Sequence, residues 1–555
     1  MTAATVGSVT DTGWNFADVF ETLADKIPDA LAQRQGDRST TWAEFDRRAD
    51  GVAAALLAAG PGRGIVEQDK VAQYLYNGPE YLESTFGAWK AGLATVNTNY
   101  RYTADELVYL WDNGDVVAVV FHGTFAEQIE QIRSRVPRIR TWLWVDDGSG
   151  PMPEWATSYE EAAASATGRT VGPWGRSGDH LMLLYTGGTT GMPKGVMWRQ
   201  DDLFGALDSA NKNRLPPEPD LDAAGERVVK PGPRNLPAAP LMHGTGLFNA
   251  LSNLIVGGSV ITMEGRRFDP VELLDTIEIQ QVNSMSIVGD AFAKPILRAL
   301  DAEPGRWDIS TLRVIVSSGV MWSSESKAGL LRHNPRLIMV DALGSSEAIG
   351  MATNTTTADS VSSGGGSGTA KFALGPNTRV VTDDGRDVVP GSGELGRVAL
   401  RGFTPIGYYK DEVKSADTFQ VIDGVRYSIP GDWAEVEGDG TVKLLGRGSQ
   451  CINTGGEKVY PEEVEEVLKL HPSVLDAAVV GVPDERFGQA ITALVEAVPG
   501  VTLDGAELIA HVKGRLAAYK APKRIVPVAS IGRAANGKLD YKHLTATATA
   551  TDLDT

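Results

Sequence analysis

The segment YTGGTTGMPKG, residues 185–195, concentrates the residue types that bind phosphate. It contains four glycines, three threonines and one lysine. Glycine lets backbone N–H groups approach an anion closely and adopt unusual φ/ψ angles. The threonine hydroxyls add donors, and Lys194 adds positive charge. We therefore predict a phosphate-binding loop, and the density of donors favours this interpretation over a surface turn rich in glycine and threonine.

The segment is not a Walker A loop. That motif has Gly-Lys-Ser/Thr leading into a helix, whereas here Pro193 precedes Lys194 and Gly195 follows it. The difference argues against a GTPase-like or ATPase-like switch.

YTGGTTGMPKG resembles the phosphate loop of the adenylate-forming superfamily, which contains acyl-CoA synthetases, luciferases and peptide-synthetase adenylation domains. Gly187 stands where the usual form has serine, so one hydroxyl donor is missing. The resemblance continues in order along almost the whole chain. It implies that ATP and AMP are bound by Thr186, Gly187, Gly188, Thr189, Thr190, Gly191, Lys194, Gly319, Asp341, Gly344, Ser346, Asp432 and Arg447.

DALGSSEAIG, residues 341–350, resembles the next motif of the superfamily. The resemblance implies that Glu347 holds Mg²⁺ against the phosphates, and one carboxylate suffices because Mg²⁺ also takes phosphate oxygens and water. Leu343 replaces the usual aromatic residue and Ser346 the usual threonine. Because of the first replacement, we expect a different adenine stacking and a wider acyl pocket. Gly319, in SSGVMWS, belongs to a turn expected beside adenine, for which a simple strand-end turn is the alternative.

Two further motifs resemble those that hold ribose and phosphate. Asp432 in YSIPGDW is expected to accept hydrogen bonds from the ribose hydroxyls, although Pro430 stands where threonine is usual. Arg447 in GRGSQC has a donor fork that can reach ribose or phosphate oxygens. Each fragment alone is typical of an ordinary turn, and the order and spacing of the fragments favour the functional interpretation.

The last part of the chain resembles the region that supplies the second half of the chemistry. The resemblance implies a hinge at Ser449, and a loop meeting the CoA pantetheine at Gly455, Gly456, Glu457 and Lys458. It also implies that Lys538, after Asn536 and Gly537 in a predicted tight turn, is a catalytic lysine.

The acid substrate is constrained less strongly. His243 in PLMHGTG is expected to contribute to the catalytic site as a wall or gate beside the acyl carboxylate, although a lone histidine is more often structural. Small residues of the expected acyl wall leave room for a bulky substrate, and backbone packing is the alternative explanation. They are Gly244, Gly246, Gly289, Ser317 and Ser318.

The whole pattern resembles the fatty-acyl-CoA synthetase branch, and particularly actinobacterial enzymes that activate long-chain or steroid side-chain acids. The resemblance implies a ligase that joins a bulky or long apolar acid to CoA through an acyl-adenylate, with ATP, Mg²⁺ and CoA as cofactors or co-substrates. Two alternatives stay open: an acyl-AMP ligase that loads a carrier protein, and a non-catalytic nucleotide-binding protein. The compact segment 446–465 favours CoA, and the retained Glu347, Asp432, Arg447 and Lys538 favour an enzyme.

The elements that must position these residues alternate between helix and strand. TTWAEFDRRADGVAAALLAAG is typical of a helix ending at Gly60, and DKVAQYL, ATVNTN and VVAVVF of strands, so we predict mainly parallel α/β layers. Residues 181–185 form a predicted strand before the glycine loop, and polar residues 353–370 a predicted mobile loop. We expect an α/β fold with a large N-terminal AMP-binding domain, residues 1–448, and a small mobile α+β C-terminal domain, residues 449–555. A small β-rich part is expected at about residues 380–445.

Composition excludes several other classes. The 555 residues carry a formal net charge of −19 without a strong basic run, so a nucleic-acid partner is not expected. The single cysteine, Cys451, allows no internal disulfide, which fits a reducing cytoplasm. The N-terminus is not typical of a signal peptide, and the apolar runs are too short to span a bilayer. A peripheral membrane contact stays open, and the sequence does not give the oligomeric state.

Overall fold

The computed structural model describes residues 13–58, 64–188, 191–320, 322–362, 371–447, 452–454, 457–484, 488–533 and 539–550. They form a large N-terminal and a small C-terminal domain, both containing helices and sheets, and the predicted fold class is confirmed. The boundary at residues 448 and 449 stays a prediction, because both residues lie outside the described ranges.

The strands are numbered in chain order. The first group is β1 (Leu31–Gln35), β2 (Arg38–Thr41), β3 (Lys70–Tyr74), β4 (Ala94–Asn97), β5 (Val116–His122), β6 (Thr141–Val145), β7 (Thr157–Ser158), β8 (Leu181–Gly188) and β9 (Gly191–Arg199). The second is β10 (Arg234–Pro237), β11 (Ser259–Thr262), β12 (Ser284–Ile287), β13 (Val314–Ser317), β14 (Ile338–Ser345), β15 (Ala348–Thr356), β16 (Lys371–Leu374), β17 (Thr378–Val381), β18 (Leu395–Arg401) and β19 (Gly407–Tyr408). The third is β20 (Phe419–Ile422), β21 (Val425–Ser428), β22 (Asp432–Val436), β23 (Val442–Arg447), β24 (Ile452–Thr454), β25 (Glu457–Val459), β26 (Val474–Asp484), β27 (Gly488–Ala497) and β28 (Arg524–Val528).

The α-helices are numbered in the same way. The first group is α1 (Phe16–Lys26), α2 (Trp42–Leu57), α3 (Pro79–Lys90), α4 (Ala104–Asn113), α5 (Ala126–Ile132), α6 (Tyr159–Ala164), α7 (Gln200–Asp208), α8 (Leu221–Arg227), α9 (Gly244–Leu254), α10 (Pro270–Ile279) and α11 (Asp290–Ala302). The others are α12 (Ser324–His333), α13 (Ala358–Ser362), α14 (Glu412–Thr418), α15 (Pro461–Lys469), α16 (Gly505–Lys513) and α17 (Tyr541–Ala550).

One sheet of the large domain has the order β19-β9-β8-β4-β3-β5-β6-β7. Strands β4, β3, β5, β6 and β7 pair in parallel, and β4 also pairs in parallel with β8. Every residue of β5 is buried, as expected for an apolar strand covered on both faces. The predicted parallel α/β arrangement of this region is therefore confirmed, and β8 and β9 close one side of it as an antiparallel hairpin.

A second, larger sheet runs from β2 to β20 and joins two kinds of pairing. From β1 through β11, β10, β12 and β13 to β14, neighbouring strands are parallel, and from β14 onward they are antiparallel. The change occurs at the β14–β15 hairpin, whose turn contains Glu347. The β-rich region predicted at about residues 380–445 is the antiparallel end of this sheet, connected to it through β16 and β23.

The small domain has its own sheet, β25-β24-β27-β26, with β28 beside β27. Alternate residues of β26 enter cores on its two faces: Val479 packs with α15 and α16 residues, and Val480 packs with Leu544 of α17. The segments PEEVEEVLK and GAELIAHVK form α15 and α16, which cover one face of this sheet.

Two loop predictions need correction. Most of the glycine-rich segment is strand, because Thr186 is opposite Lys194 and Gly188 is opposite Gly191 in the β8–β9 hairpin; Thr189 and Thr190 lie outside the described residues. The loop predicted at residues 353–370 is wrong at its beginning, where β15 continues to Thr356 and α13 follows. Pairing with β14 outweighs the polar composition there.

The helices that cover the sheets bury a network of charges. The Lys90 ammonium is fully buried and contacts carboxylates of Glu21, Asp46 and Asp50. Burial raises the pKa of Glu21, but the hydrogen bonds and charges of Arg176 and Lys90 outweigh it and lower the pKa from 4.5 to about 2. The network therefore holds α1, α2 and α3 together through ionised groups.

Candidate functional site

Two residues hold the β8–β9 hairpin in place: Tyr185, which belongs to the hairpin, and Asn97, at the end of β4. A Cβ on Gly195 would lie 2.6 Å from Cε2 of Tyr185, so only glycine leaves room for this ring. The Asn97 side chain accepts a hydrogen bond from the Tyr185 N–H at 2.6 Å and donates to the Tyr185 carbonyl at 2.9 Å. It also donates to the Met242 carbonyl at 2.7 Å, which connects the hairpin to the segment before His243.

Lys194 projects from β9 and pairs with an acid from a distant part of the chain. Its Nζ donates to Oδ2 of Asp411 at 2.6 Å, and this bond is the largest cause of the lowered pKa of Asp411. Asp411 also caps α14, because its Oδ1 accepts a hydrogen bond from the N–H of Lys414 at 3.0 Å. The lysine side chain is 40% exposed, so it can reach a phosphate.

Glu347 lies buried in the turn between β14 and β15. Its Oε1 accepts a hydrogen bond from the Tyr408 hydroxyl at 2.8 Å, and its carbonyl accepts one from the Ser428 hydroxyl at 2.7 Å. Tyr408 belongs to β19, which pairs with β9 of the hairpin. The same short strand therefore contacts both the hairpin and the Glu347 carboxylate.

The hairpin and the Glu347 turn are also joined directly. Trp198 of β9 is fully buried, and its Nε1 donates to the Ser346 carbonyl at 2.9 Å. Gly344 precedes this turn, and a Cβ there would lie 3.2 Å from the Ala348 carbonyl oxygen. Lys194 is thus part of one arrangement with Ser346 and Glu347, which lie 152 and 153 positions later in the sequence.

Asp341, on β14, forms a buried ion pair with a residue of the neighbouring helix. It hydrogen-bonds to the ammonium of Lys327, on α12, and this ammonium also lies 5.4 Å from the centre of the Trp322 ring. Burial raises the pKa of Asp341, and the charge and hydrogen bond of Lys327 oppose that rise. Asp341 is opposite Ser317 in the pairing of β14 with β13, and Gly319 follows with a φ of +91°, a conformation that glycine adopts most readily.

Asp432 and Arg447 lie opposite each other as the first and last residues of paired strands β22 and β23. The hydroxyl of Ser428, four residues before Asp432, is the donor to the Glu347 carbonyl. The structure therefore brings Asp432, the Arg447 backbone and the Glu347 turn into the same part of the large domain.

The residues predicted for the acyl wall have different surroundings. His243 is half-buried and precedes α9, and Gly244 begins that helix, where a Cβ would lie 3.0 Å from the Phe248 ring. At Gly246 a Cβ would lie 2.4 Å from the Pro240 carbonyl oxygen, so backbone packing alone accounts for this glycine.

The other predicted wall residues meet where β12 and β13 end. The buried Ser317 hydroxyl accepts a hydrogen bond from the Gly289 N–H at 2.9 Å, and Gly289 has a φ of +52°. Ser318 follows β13 and is half-buried.

Several predicted residues of the small domain lie outside the described residues: Ser449, Gly455, Gly456 and Lys538. Glu457 and Lys458 belong to β25, where they pair with Thr454 and Asn453 of β24. The residue before the segment 534–538 is well anchored, because Arg533 Nε and Nη2 donate to the two carboxylate oxygens of Asp476 at 2.5 and 3.0 Å.

The donor set around the hairpin fits Mg²⁺ only together with a nucleotide. Among the residues that the structure describes, no cluster of three or more His, Cys, Asp or Glu side chains could hold a metal ion. Glu347 supplies one carboxylate, and its Oε1 already has a phenol donor. Since Mg²⁺ takes phosphate oxygens and water in addition to one carboxylate, this arrangement fits a metal that arrives with ATP.

Sequence reasoning missed residues that hold the predicted ones in place: Asn97, Trp198, Lys327, Tyr408 and Asp411. Each makes its contact across at least 14 positions of sequence. A polar residue at the end of a buried strand, as in ATVN, is a signal for Asn97. Nothing in the local pattern of GYYKD distinguishes Tyr408 from Tyr409.

A large α/β domain with a glycine-rich hairpin, followed by a small α+β domain, is the architecture of the adenylate-forming superfamily. The AMP-binding enzyme family matches residues 20–409, and the AMP-binding enzyme C-terminal domain matches residues 463–538. The chain therefore belongs to the AMP-binding enzyme family.

Relatives of similar length exist in actinobacteria. The chain is 40% identical over 538 residues to a medium/long-chain-fatty-acid–CoA/3-oxocholest-4-en-26-oate–CoA ligase of Mycolicibacterium smegmatis, covering 95% of each chain. It is 39% identical over 542 residues to a 3-oxocholest-4-en-26-oate–CoA ligase of Rhodococcus rhodochrous, again covering 95% of each.

Solved structures share the fold. The anthranilate CoA ligase AuaEII in complex with anthranoyl-AMP matches with a TM-score of 0.81 and 23% identity, over 98% of this chain and 99% of that one. ATP-bound MatB of Rhodopseudomonas palustris matches with a TM-score of 0.77 and 26% identity, over 96% and 98%. No helix in the described ranges combines the length and apolar character needed to cross a bilayer.

Proposed function

We propose that this enzyme is an AMP-forming acid–thiol ligase that activates a bulky or long-chain apolar carboxylic acid with ATP and transfers it to CoA. The observation that carries the proposal is the arrangement of Lys194 and Glu347, a cation and a buried carboxylate connected by the single segment 407–411. The names of the relatives support the ligase class and the choice of acid.

In the first step, a carboxylate oxygen of the acid attacks the α-phosphorus of ATP. The bond from that phosphorus to the bridging oxygen of the β-phosphate breaks, so pyrophosphate leaves and the acyl-adenylate forms. Charge gathers on phosphate oxygens in this transition state, and catalysis is therefore mainly positioning and electrostatic stabilisation. A protein nucleophile is not needed.

Different residues are proposed to bind different parts of the nucleotide. Backbone N–H groups and hydroxyls of residues 186–191, with the ammonium of Lys194, hold the phosphates. Glu347 would hold Mg²⁺, which when bound neutralises phosphate charge. Asp432 accepts from the ribose hydroxyls, and Arg447 donates to ribose or phosphate oxygens.

The remaining residues are assigned to the adenine base and to the acid. Asp341, Gly344 and the Gly319 turn form the adenine side, and Ser346 borders the phosphates. His243 forms the wall or gate near the acid, with Gly244, Gly289 and Ser318 along the acyl side.

In the second step, the CoA thiolate attacks the acyl carbonyl carbon, the bond to AMP breaks, and AMP leaves with the electron pair. Residues 455–458 would border the pantetheine, and Lys538 would stabilise only the first step. Rotation of the small domain about Ser449 would exchange the two sets of groups. This domain closure is the reason one cleft can serve both reactions.

The remaining assignments concern the location and the partners. The single cysteine favours a cytoplasmic location, and the partners proposed are the acid, ATP and CoA. A peripheral membrane contact would be compatible with an apolar acid.

The test separates the three candidate functions. Purified protein is incubated with ATP, Mg²⁺ and a panel of organic acids that includes long-chain fatty and steroid side-chain acids. Acid-dependent exchange of pyrophosphate into ATP, followed by a thioester of the expected mass when CoA is added, supports the proposal. Exchange without a CoA thioester for any acid would indicate carrier-protein loading, and nucleotide binding without exchange would indicate a binding protein.

A further inference from the structure

The segment that follows β18 contains two neighbouring tyrosines with different partners. The Tyr408 hydroxyl donates to Oε1 of Glu347 at 2.8 Å, and the Tyr409 hydroxyl donates to Oδ2 of Asp115 at 2.7 Å. The Tyr408 side chain is buried together with Glu347, whereas Tyr409 is half-buried between the charged residues Lys70 and Lys410. Two adjacent side chains of the same type thus hold carboxylates in different parts of the domain.

The backbone of Tyr408 is fixed independently of its hydroxyl. It pairs with Val196 of β9, and its N–H donates to the Ser415 hydroxyl at 2.8 Å. The Ser415 hydroxyl in turn donates to the Asp411 carbonyl at 2.6 Å. The Tyr408 side chain therefore extends from a fixed backbone position, and the centre of its ring lies 6.0 Å from the Lys194 ammonium.

We propose that Tyr408 is a positioning residue, which holds one oxygen of Glu347 so that the carboxylate is preorganised for the divalent cation that accompanies ATP. The proposal rests on the function proposed above, in which Glu347 holds that cation. A hydrogen bond from a neutral phenol to an ionised carboxylate is strong and directional. It restricts rotation of a buried side chain while leaving its negative charge unchanged, which favours binding of the metal.

The same geometry separates this role from a structural one. The β19–β9 pairing and the bond from Tyr408 N–H to Ser415 involve the backbone, so Tyr408→Phe keeps both and removes only the hydroxyl. Tyr409→Phe removes a hydroxyl that is also bound to a carboxylate, one residue away. The second variant is therefore a matched control for losing a phenol–carboxylate bond in this segment.

The experiment measures binding rather than turnover. The affinity of α,β-methylene-ATP is determined by calorimetry for the full chain, once in EDTA and once in saturating Mg²⁺, and the ratio of the two dissociation constants gives the metal-dependent gain. We expect Tyr408→Phe to reduce this gain by about tenfold, the lower end for a hydrogen bond to a charged group, and to leave the affinity in EDTA unchanged. Tyr409→Phe should change neither value.

Glu347→Gln provides the reference, because it should abolish the metal-dependent gain. An equal loss of affinity in EDTA and in Mg²⁺ for Tyr408→Phe would overturn the proposal, since it would indicate a structural role. So would an unchanged gain, or an equal loss of gain in Tyr409→Phe. A wild-type protein that binds no nucleotide would instead refute the proposed function, and a Glu347→Gln variant that keeps the gain would refute the assignment of the metal to Glu347.

Discussion

A substitution of Arg533 tests the proposed role of the small domain in acyl-adenylate formation. Arg533 directly precedes residues 534–538, the last of which is the proposed adenylation lysine, and its guanidinium binds Asp476 through two N–H donors and the Ala477 carbonyl through a third bond of 3.1 Å. Burial raises the pKa of Asp476, but the hydrogen bond to Arg533 and the charges of Lys469 and Arg533 outweigh it, so the pKa is lowered. We expect Arg533→Gln to release this anchor.

The magnitude follows from the burial of the pair. Breaking a fully buried ion pair costs about 3–5 kcal/mol. The side chains of Arg533 and Asp476 are 13% and 21% exposed, so water screens part of their interaction. We expect a loss of about 2 kcal/mol, which corresponds to roughly 30-fold in rate if the anchor acts wholly in the transition state of adenylation.

The assay separates the two half-reactions. Arg533→Gln should slow acyl-adenylate formation by roughly 30-fold and leave thioester formation from supplied adenylate within about twofold of the wild type, because Lys538 is proposed to act only in the first step. Lys538→Ala should show the same asymmetry more strongly.

A second ion pair of the small domain supplies the control. Lys520 Nζ contacts Oε2 of Glu463 at 2.6 Å, and the Glu463 side chain is almost fully buried. Lys520→Gln should lower stability without separating the half-reactions. Equal losses in both half-reactions of Arg533→Gln, or the same asymmetry in Lys520→Gln, would refute the reasoning.

Three further variants test other parts of the structure. Asp411→Asn should raise the affinity for α,β-methylene-ATP in EDTA by about threefold, because Lys194 no longer pairs with a competing carboxylate; weaker binding in calorimetry would contradict this. Glu21→Gln should lower the free energy of unfolding at pH 7 by about 3 kcal/mol. Because the folded-state pKa of Glu21 is lowered from 4.5 to about 2, this difference is fully present above pH 4.5 and should shrink as the pH falls towards 2; a pH-independent difference in chemical denaturation would contradict it. Gly246→Ala should lower the melting temperature without changing the preferred acid, since its Cβ would lie 2.4 Å from the Pro240 carbonyl oxygen; a shifted preference at unchanged stability would place this glycine in the acyl wall.

The sequence predicted the order of elements well, because periodicity and turn composition are local. Helix α2 and strands β3, β4 and β5 lie where their patterns predict. The glycine-rich segment was misjudged because its pairing across the hairpin, Thr186 opposite Lys194, is a property of two strands together.

The candidate site was predictable only in part. Motifs predicted Lys194, Glu347 and Asp432 as site residues, since each belongs to a short segment of characteristic composition. The residues that fix these groups were not predictable, because Tyr408 meets Glu347 across 61 positions and Asp411 meets Lys194 across 217. The first contact depends on how two sheets approach each other and the second on the pairing of β19 with β9, and no local pattern encodes either.

The central claim is that the acid is activated as a mixed anhydride with AMP, and isotope transfer tests it directly. An acid labelled with ¹⁸O in both carboxylate oxygens is converted with ATP, Mg²⁺ and CoA, and the products are analysed by mass spectrometry. The account predicts that one labelled oxygen appears in the phosphate of AMP and none in pyrophosphate. Label in inorganic phosphate or pyrophosphate, with unlabelled AMP, would contradict it.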